Sequence, residues 1–300
     1  MSTDRRGLVV AALGAIYLIW GSTFLGVKIA LEAFPPFFLG ATRFLLAGTV
    51  LFVWAAFRAP VSRPARHEWR AAYTSGGLML VGGLGSVVIA TQFIDTGLTA
   101  LLSASVPLWM AVLDRWRYGQ RMRRTSVAGM LVGFAAVGFL VSPSGGGTGP
   151  LWASVLVVLG GLAWAAGSLY SREAPLPGRQ RVATSMQMLA AASIFLVLSG
   201  ASGEFARLDP AAFGWRPLLA FAYLVVVGSL VGFTAYTWLL TAVPSSIVAT
   251  YAYVNPVVAL VLGWAVLGER VGSATLAAST VVVLSVALMV GRRPRRAVPQ

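Results

Sequence analysis

Apolar runs of about 20 residues, each long enough to cross a bilayer as a helix, recur along the whole chain between short stretches of Arg, Gly, Pro and Ser. Windows of that length place spans at about 8–30, 37–57, 71–91, 97–113 and 125–141. Five more follow at about 151–170, 182–199, 217–239, 245–266 and 272–291. The fourth run is the shortest, so that span is expected to be tilted or broken. The pattern predicts an all-α polytopic membrane protein with ten transmembrane helices in a single membrane domain.

The polar positions between the runs set an orientation, because Lys and Arg collect on the cytoplasmic side while acidic residues count for little. Eighteen of the 23 basic residues fall on one side: Arg5, Arg6, Arg58, Arg63, Arg66, Arg70, Arg115, Arg117, Arg121, Arg123, Arg124, Arg172, Arg179, Arg181, Arg292, Arg293, Arg295 and Arg296. Arg207, Arg216 and Arg270 lie on the other, and Lys28 and Arg43 fall within or near the ends of spans. Ten spans with both termini cytoplasmic fit this bias, in a multi-pass protein of the plasma (inner) membrane. The first run reaches Ala30, beyond a signal peptide's short apolar region, so it is expected to be an uncleaved anchor.

Composition changes the picture in two ways. The chain is 58% apolar and 11% charged, whereas a soluble surface needs roughly 25% charged residues. Its net charge of +14 would point to nucleic acid in a soluble protein, but the placement of the arginines makes it topology, and no nucleic-acid partner is expected. The partners implied are the lipid bilayer and a small-molecule substrate. With no cysteine, disulfides, thiolate metal sites and cysteine nucleophiles are excluded.

The chain also repeats itself. Trp20, Gly21, Ser22, Lys28 and Arg43 stand 144 positions before Trp164, Ala165, Ala166, Arg172 and Gln187. The stretch Pro107 to Arg121 (PLWMAVLDRWRYGQR) stands 149 positions before Pro256 to Arg270 (PVVALVLGWAVLGER). Two halves, 1–145 and 146–300, each hold five predicted spans. Because five is odd, they enter the membrane from opposite sides, the inverted-topology plan of secondary transporters with a midplane site.

The stretch YLIWGSTFLGVKIALEAFPPFFLGATRFLLAG, with YVNPVVALVLGWAVLGE near the ninth span, resembles the EamA family of the drug/metabolite transporter superfamily over nearly the whole chain. The resemblance implies a ten-helix exporter built from two inverted five-helix repeats around a central cavity. It implies export of amino acids, related metabolites or cationic drugs, and within the family the chain is most similar to aromatic amino acid exporters.

Several residues carry candidate chemistry. Pro107 and Pro256 lie deep in spans, where proline removes a backbone hydrogen bond and bends the helix, and their repetition suggests hinges rather than packing kinks. Asn255 is an uncharged polar group at depth and should face the bundle, toward a freed carbonyl or substrate. Trp20, Trp109, Trp164, Tyr236, Tyr251 and Tyr253 also lie deep, as cavity walls or as core packing, whereas Trp69, Trp116, Trp152 and Trp215 fall at span ends as interfacial belts. Arg43 lies about two turns inside the second span, placed to grip a substrate carboxylate or to pair with a carbonyl or helix C-terminus. Lys28 is nearer the interface and can snorkel to it. Gly129 with Gly133 and Gly228 with Gly232 form G-x-x-x-G spacings read as internal packing.

Other signatures are missing from the sequence. It has no phosphate-cradling ATPase loop, so neither a nucleotide cofactor nor an ATPase subunit is implied. Its one histidine, His67, sits in an Arg-rich loop and offers no metal cluster or catalytic triad. Gly200 to Gly203 (GASG) partly matches an intramembrane serine protease motif but has no histidine in any span to activate Ser202. Glu32, Asp95, Asp114, Glu173 and Glu269 sit at span ends, which leaves facilitated diffusion, or coupling through a boundary acid such as Asp95 or Glu269. The expected function is alternating-access export of amphipathic metabolites, with aromatic or other neutral amino acids first. The alternatives are a multidrug or cationic-compound exporter, a membrane enzyme and a structural membrane protein.

Overall fold

The computed structural model describes residues 3–58, 63–119, 124–141, 149–269 and 272–290, and among them every regular element is helical. In hydrocarbon each backbone N–H and C=O must find its partner inside its own segment, and Leu/Val/Ala-rich runs meet that demand as helices. The long helices are α1 (Thr3–Ala30), α2 (Pro36–Arg58), α3 (Arg66–Ala90), α4 (Thr96–Ser103 and Val106–Tyr118), α6 (Leu151–Glu173), α7 (Gln180–Ala201) and α8 (Trp215–Ala242). These seven are long and apolar enough to cross a bilayer. The others are α5 (Arg124–Val141), α9 (Ser245–Val248 and Tyr251–Leu267) and α10 (Ser273–Val290), with shorter apolar stretches at Val127–Leu140, Val254–Leu267 and Leu276–Ser285. Large apolar side chains such as Leu18, Phe57, Val197 and Leu219 point outward, the surface a lipid solvent selects. Trp116 and Trp215 are exposed at helix ends, where an interfacial belt belongs.

The helices pair in a regular way. The second helices of the two halves, α2 and α7, pack along each other, as do the fifth helices, α5 and α10. The first helix of each half packs on the fourth of the other, α1 on α9 and α6 on α4. Each first helix also meets the other half's third, α1 with α8 and α6 with α3. Exchanging the halves maps this set of pairings onto itself.

Local irregularities recur in the same way. The helices α3 and α8 each contain a π-helical stretch, Gly77–Leu84 and Leu224–Phe233, a geometry frequent at functional sites. Helices α4 and α9 each begin with a short segment, tighten at Ala104–Ser105 and Ala249–Thr250, and continue. Both end on a glycine in the left-handed region, Gly119 at φ 61° and Gly268 at φ 68°, a conformation that costs other residues a steric penalty. The short fourth run of the sequence is thus an interrupted helix.

The prolines, by contrast, are not placed alike. Pro256 lies inside the second segment of α9 and supplies no N–H for the Ala252 carbonyl. Pro107 is in the first turn of Val106–Tyr118, where an N–H has no intrahelical partner to lose. The bend of α4 therefore belongs to the tightened turn before Pro107, and the expectation of two equivalent proline kinks is corrected on that point.

Two carboxylates tie the halves together at helix N-termini. Glu204, buried beyond the end of α7, accepts from the backbone N–H groups of Phe37 (3.1 Å) and Phe38 (2.7 Å) at the start of α2. Glu269 accepts from the N–H groups of Thr96 and Gly97 and from the Thr96 hydroxyl at the start of α4. Prolines 35 and 36 leave α2 without a side-chain cap of its own, so the acid arrives from another element and meets the positive end of the helix dipole. Glu204→Ala is expected to lower stability by about 1–2 kcal/mol, read as a lower thermal midpoint of the purified protein, with Glu204→Asp recovering part of the loss.

Candidate functional site

Helices α1, α2, α3, α4, α6, α8 and α9 converge on an interior cavity. About 80 Å3 of it is open to the centres of water molecules, room for several waters or a small solute. Its walls are mostly apolar, with Phe24, Leu80, Val87 and Phe233 among them. Of the candidate site residues, Trp20, Arg43, Trp164, Tyr251, Asn255 and Pro256 line it.

The aromatics form one interlocked group. The Trp20 ring stands edge-on to Trp164, with centroids 5.4 Å apart, and edge-on to Tyr251 at 5.2 Å. Tyr236 lies behind them, fully buried, 4.8 Å from Trp20 and 5.3 Å from Trp164. The Trp164 indole N–H donates to the Tyr236 hydroxyl at 2.9 Å, and Ser168 joins the same hydroxyl at 2.7 Å. A buried tryptophan needs a partner for its N–H, and Tyr236 provides it while bracing the ring as a cavity wall.

Arg43 supplies the charge. It is 4% exposed, and its Nε donates to the Ser229 hydroxyl at 2.8 Å. Ser229 in turn donates to the Leu224 carbonyl five residues back at 3.0 Å, a spacing set by the π-helical turn. The guanidinium also rests 5.1 Å from the centre of the Phe44 ring. No carboxylate among the described residues pairs with it. Clamped through Nε, Arg43 presents its paired Nη groups as a fork. Gly228 makes room for that fork, since a Cβ there would stand 3.0 Å from Nη2.

In the same cavity lining, Asn255 and the backbone of α9 offer acceptors. Oriented by its partners, the Asn255 amide nitrogen donates to the carbonyls of Tyr17 (3.0 Å) and Tyr251 (3.1 Å), which leaves its oxygen as an acceptor. Ala252, whose carbonyl Pro256 cannot serve, is also in the wall. The Tyr17 hydroxyl bonds to Thr250 at the tightened turn of α9 and so ties α1 to the same place.

Other candidates lie elsewhere. Trp109 donates to the Val158 carbonyl at 3.0 Å and packs edge-on against Phe134, outside the cavity lining. The side chain of Tyr253 lies outside the described residues. Lys28 donates to the Thr91 carbonyl at 2.7 Å, past the end of α3. Gly228 and Gly232 pack on Thr23 and Trp20 of α1, an internal helix crossing. The sequence reading singled out Gly228 only for helix packing and missed Ser229, Thr23 and Gly83, whose roles depend on which helix faces them. Gln187, 144 positions after Arg43, donates to Ser75 and Ser171 at 2.9 Å each. The two positions that the sequence offset relates are thus both polar, but only Arg43 is charged.

A helical membrane protein whose irregular turns, deep aromatics and buried Arg43 converge on an interior cavity is built as a transporter. The chain belongs to the EamA-like transporter family, whose model matches residues 5–142 and again 151–291. It is 35% identical over 93% of its length to the uncharacterized inner membrane transporter YedA of Escherichia coli K12, covering 89% of that protein. It is 27% identical to the uncharacterized transporter YvbV of Bacillus subtilis, over 95% of this chain and 91% of the relative. An uncharacterized transporter of Archaeoglobus fulgidus is 26% identical, over 86% of this chain and 89% of its own. A solved crystal structure shares the fold with a TM-score of 0.66 at 20% identity, covering 94% of this chain and 97% of the other.

Proposed function

We propose that the protein is a ten-helix, alternating-access exporter of zwitterionic amino acids with neutral, above all aromatic, side chains. Its termini lie in the cytoplasm, and two inverted five-helix repeats, 1–145 and 146–300, rock about the central cavity. The observation that carries the substrate class is Arg43, a buried fork of donors that no carboxylate among the described residues pairs, in a wall of aromatic rings. A substrate carboxylate satisfies the fork, the Asn255 oxygen and Ala252 carbonyl accept from an ammonium, and the rings of Trp20, Trp164 and Tyr251 receive an apolar side chain. A second acidic group on the substrate would find no cation, and a purely cationic compound would be repelled by Arg43. That repulsion favours amino acids over the multidrug reading. The tightened turn of α4 with Pro107, and Pro256 in α9, are the hinges of this reading. The twofold match of the family model and the exchange symmetry of the helix pairs support the repeat.

Proteoliposomes holding the purified protein test the substrate. Phe, Tyr, Trp and Leu are expected to be taken up faster than Asp or Glu by about tenfold or more, the cost of one unpaired buried charge being at least 1.4 kcal/mol. A preference for dicarboxylates or organic cations would overturn the assignment. Reporter fusions at Arg63, Arg121 and Arg179 should read cytoplasmic and those near Gly146 and Gly203 external; of these positions Arg121 and Gly146 lie outside the described residues.

A further inference from the structure

Arg43 poses a problem for the transporter between substrates. Its guanidinium stays protonated in any protein environment, and among the described residues it is the only Lys, Arg, Asp or Glu in the cavity wall. Of the acids whose contacts are described, Glu204 and Glu269 are held at helix N-termini, Glu68 at the Ala65 N–H, Asp209 at the Ala211 N–H, and Glu173 by Arg117. None reaches Arg43. Its one hydrogen bond among the described residues is to a neutral hydroxyl through Nε, while the Phe44 ring gives only a weak quadrupole contact at 5.1 Å. A cation held this way in low dielectric is costly, and it attracts whatever small anion can reach it.

We propose that in the substrate-free protein Arg43 holds a small monovalent inorganic anion, for which chloride is the probe, and that a substrate carboxylate displaces it. This rests on the reading of Arg43 as the carboxylate partner and extends it to the unloaded state. The geometry suits both ligands. The Nη edge is a two-donor fork that accepts a spherical halide between its N–H groups as readily as two carboxylate oxygens. Gly228, where a Cβ would stand 3.0 Å from Nη2, leaves the fork open beside the cavity. The corresponding residue of the other half, Gln187, has both its partners in serines of this chain, so a single anion site is expected. Carboxylate and chloride binding are then mutually exclusive.

The full-length protein in lipid nanodiscs is heated at increasing chloride, with the sodium salt of HEPES, a bulky sulfonate and not a carboxylate, holding ionic strength constant so that the surface arginines are screened equally. The unfolding midpoint of the wild type is expected to rise with chloride and to saturate, while Arg43→Gln shows no dependence. In wild type alone, the half-saturating phenylalanine concentration is expected to rise linearly with chloride from its chloride-free value, to about threefold when chloride is raised to twice its own dissociation constant. This second measurement decides the matter even where the variant cannot be purified. No chloride dependence in wild type, or the same dependence in Arg43→Gln, overturns the anion site. Saturable phenylalanine binding that ignores chloride would leave the carboxylate reading standing and remove this proposal. Saturable chloride binding lost in Arg43→Gln, with no phenylalanine binding at all, would keep the anion site and remove the amino acid reading.

Discussion

Arg43→Gln is expected to raise the half-saturating concentration of a neutral amino acid by about tenfold to a hundredfold. Hydrogen bonds to a charged partner are worth about 1.5–3 kcal/mol, and the substitution removes a bidentate pair. The thermal midpoint should not fall, because the variant replaces a cation that no described carboxylate neutralises with a neutral amide. Loss of function with retained stability is the signature of a binding residue. Arg43→Lys should recover only part of the loss, since an ammonium keeps the charge but not the planar fork. Transport of a decarboxylated analogue such as phenylethylamine should be unaffected or improved in Arg43→Gln. Wild-type kinetics in Arg43→Gln would place the carboxylate elsewhere.

Trp164→Ala should act in the opposite way, on stability first. The indole is 5% exposed, packs against Trp20 and Tyr236, and is the N–H donor to the Tyr236 hydroxyl. Truncating a buried aromatic of this size costs about 3–5 kcal/mol, which a denaturation series in detergent should resolve. Trp164→Phe keeps most of the ring and loses the N–H, for about 1 kcal/mol, so the difference between the two variants separates packing from hydrogen bonding. The wall should also become more permissive: in Trp164→Phe, Trp uptake is expected to gain on Leu uptake because the cavity is wider where Gly83 faces the ring, a Cβ there standing 2.8 Å from the indole. An unchanged midpoint in Trp164→Ala would remove the ring from the core.

The helices, their order and the interruption of α4 were legible in the chain because hydrocarbon forbids every alternative for an apolar run. Arg43 stood out for the same reason, as a charge two turns inside a span. The deep pair Trp20 and Trp164 was legible through the internal repeat, and their rings do meet. Trp109 reads identically in sequence yet packs on Phe134, because depth along a helix is encoded in the sequence spacing but the facing of each residue depends on which neighbour the helix meets.

What the sequence determined by itself is the solvent of this protein, its family and the short list of polar groups that bilayer burial makes expensive. Only the tertiary structure decided how those groups are used. Glu204 and Glu269 are capping acids because α2 and α4 begin beside them, not because of their own neighbours in sequence. Ser229 holds Arg43 because a π-helical turn brings its hydroxyl to the Leu224 carbonyl, and nothing in the run LVVVGSLVGF announces that turn. Pro107 and Pro256, alike in sequence, differ because one follows a turn already tightened and the other interrupts a helix from within. The physical reason is common to all of these: hydrophobic transfer acts on each segment alone and can be summed along the chain, whereas hydrogen-bond partners and cavity walls are supplied by residues up to 233 positions away, which only packing brings together.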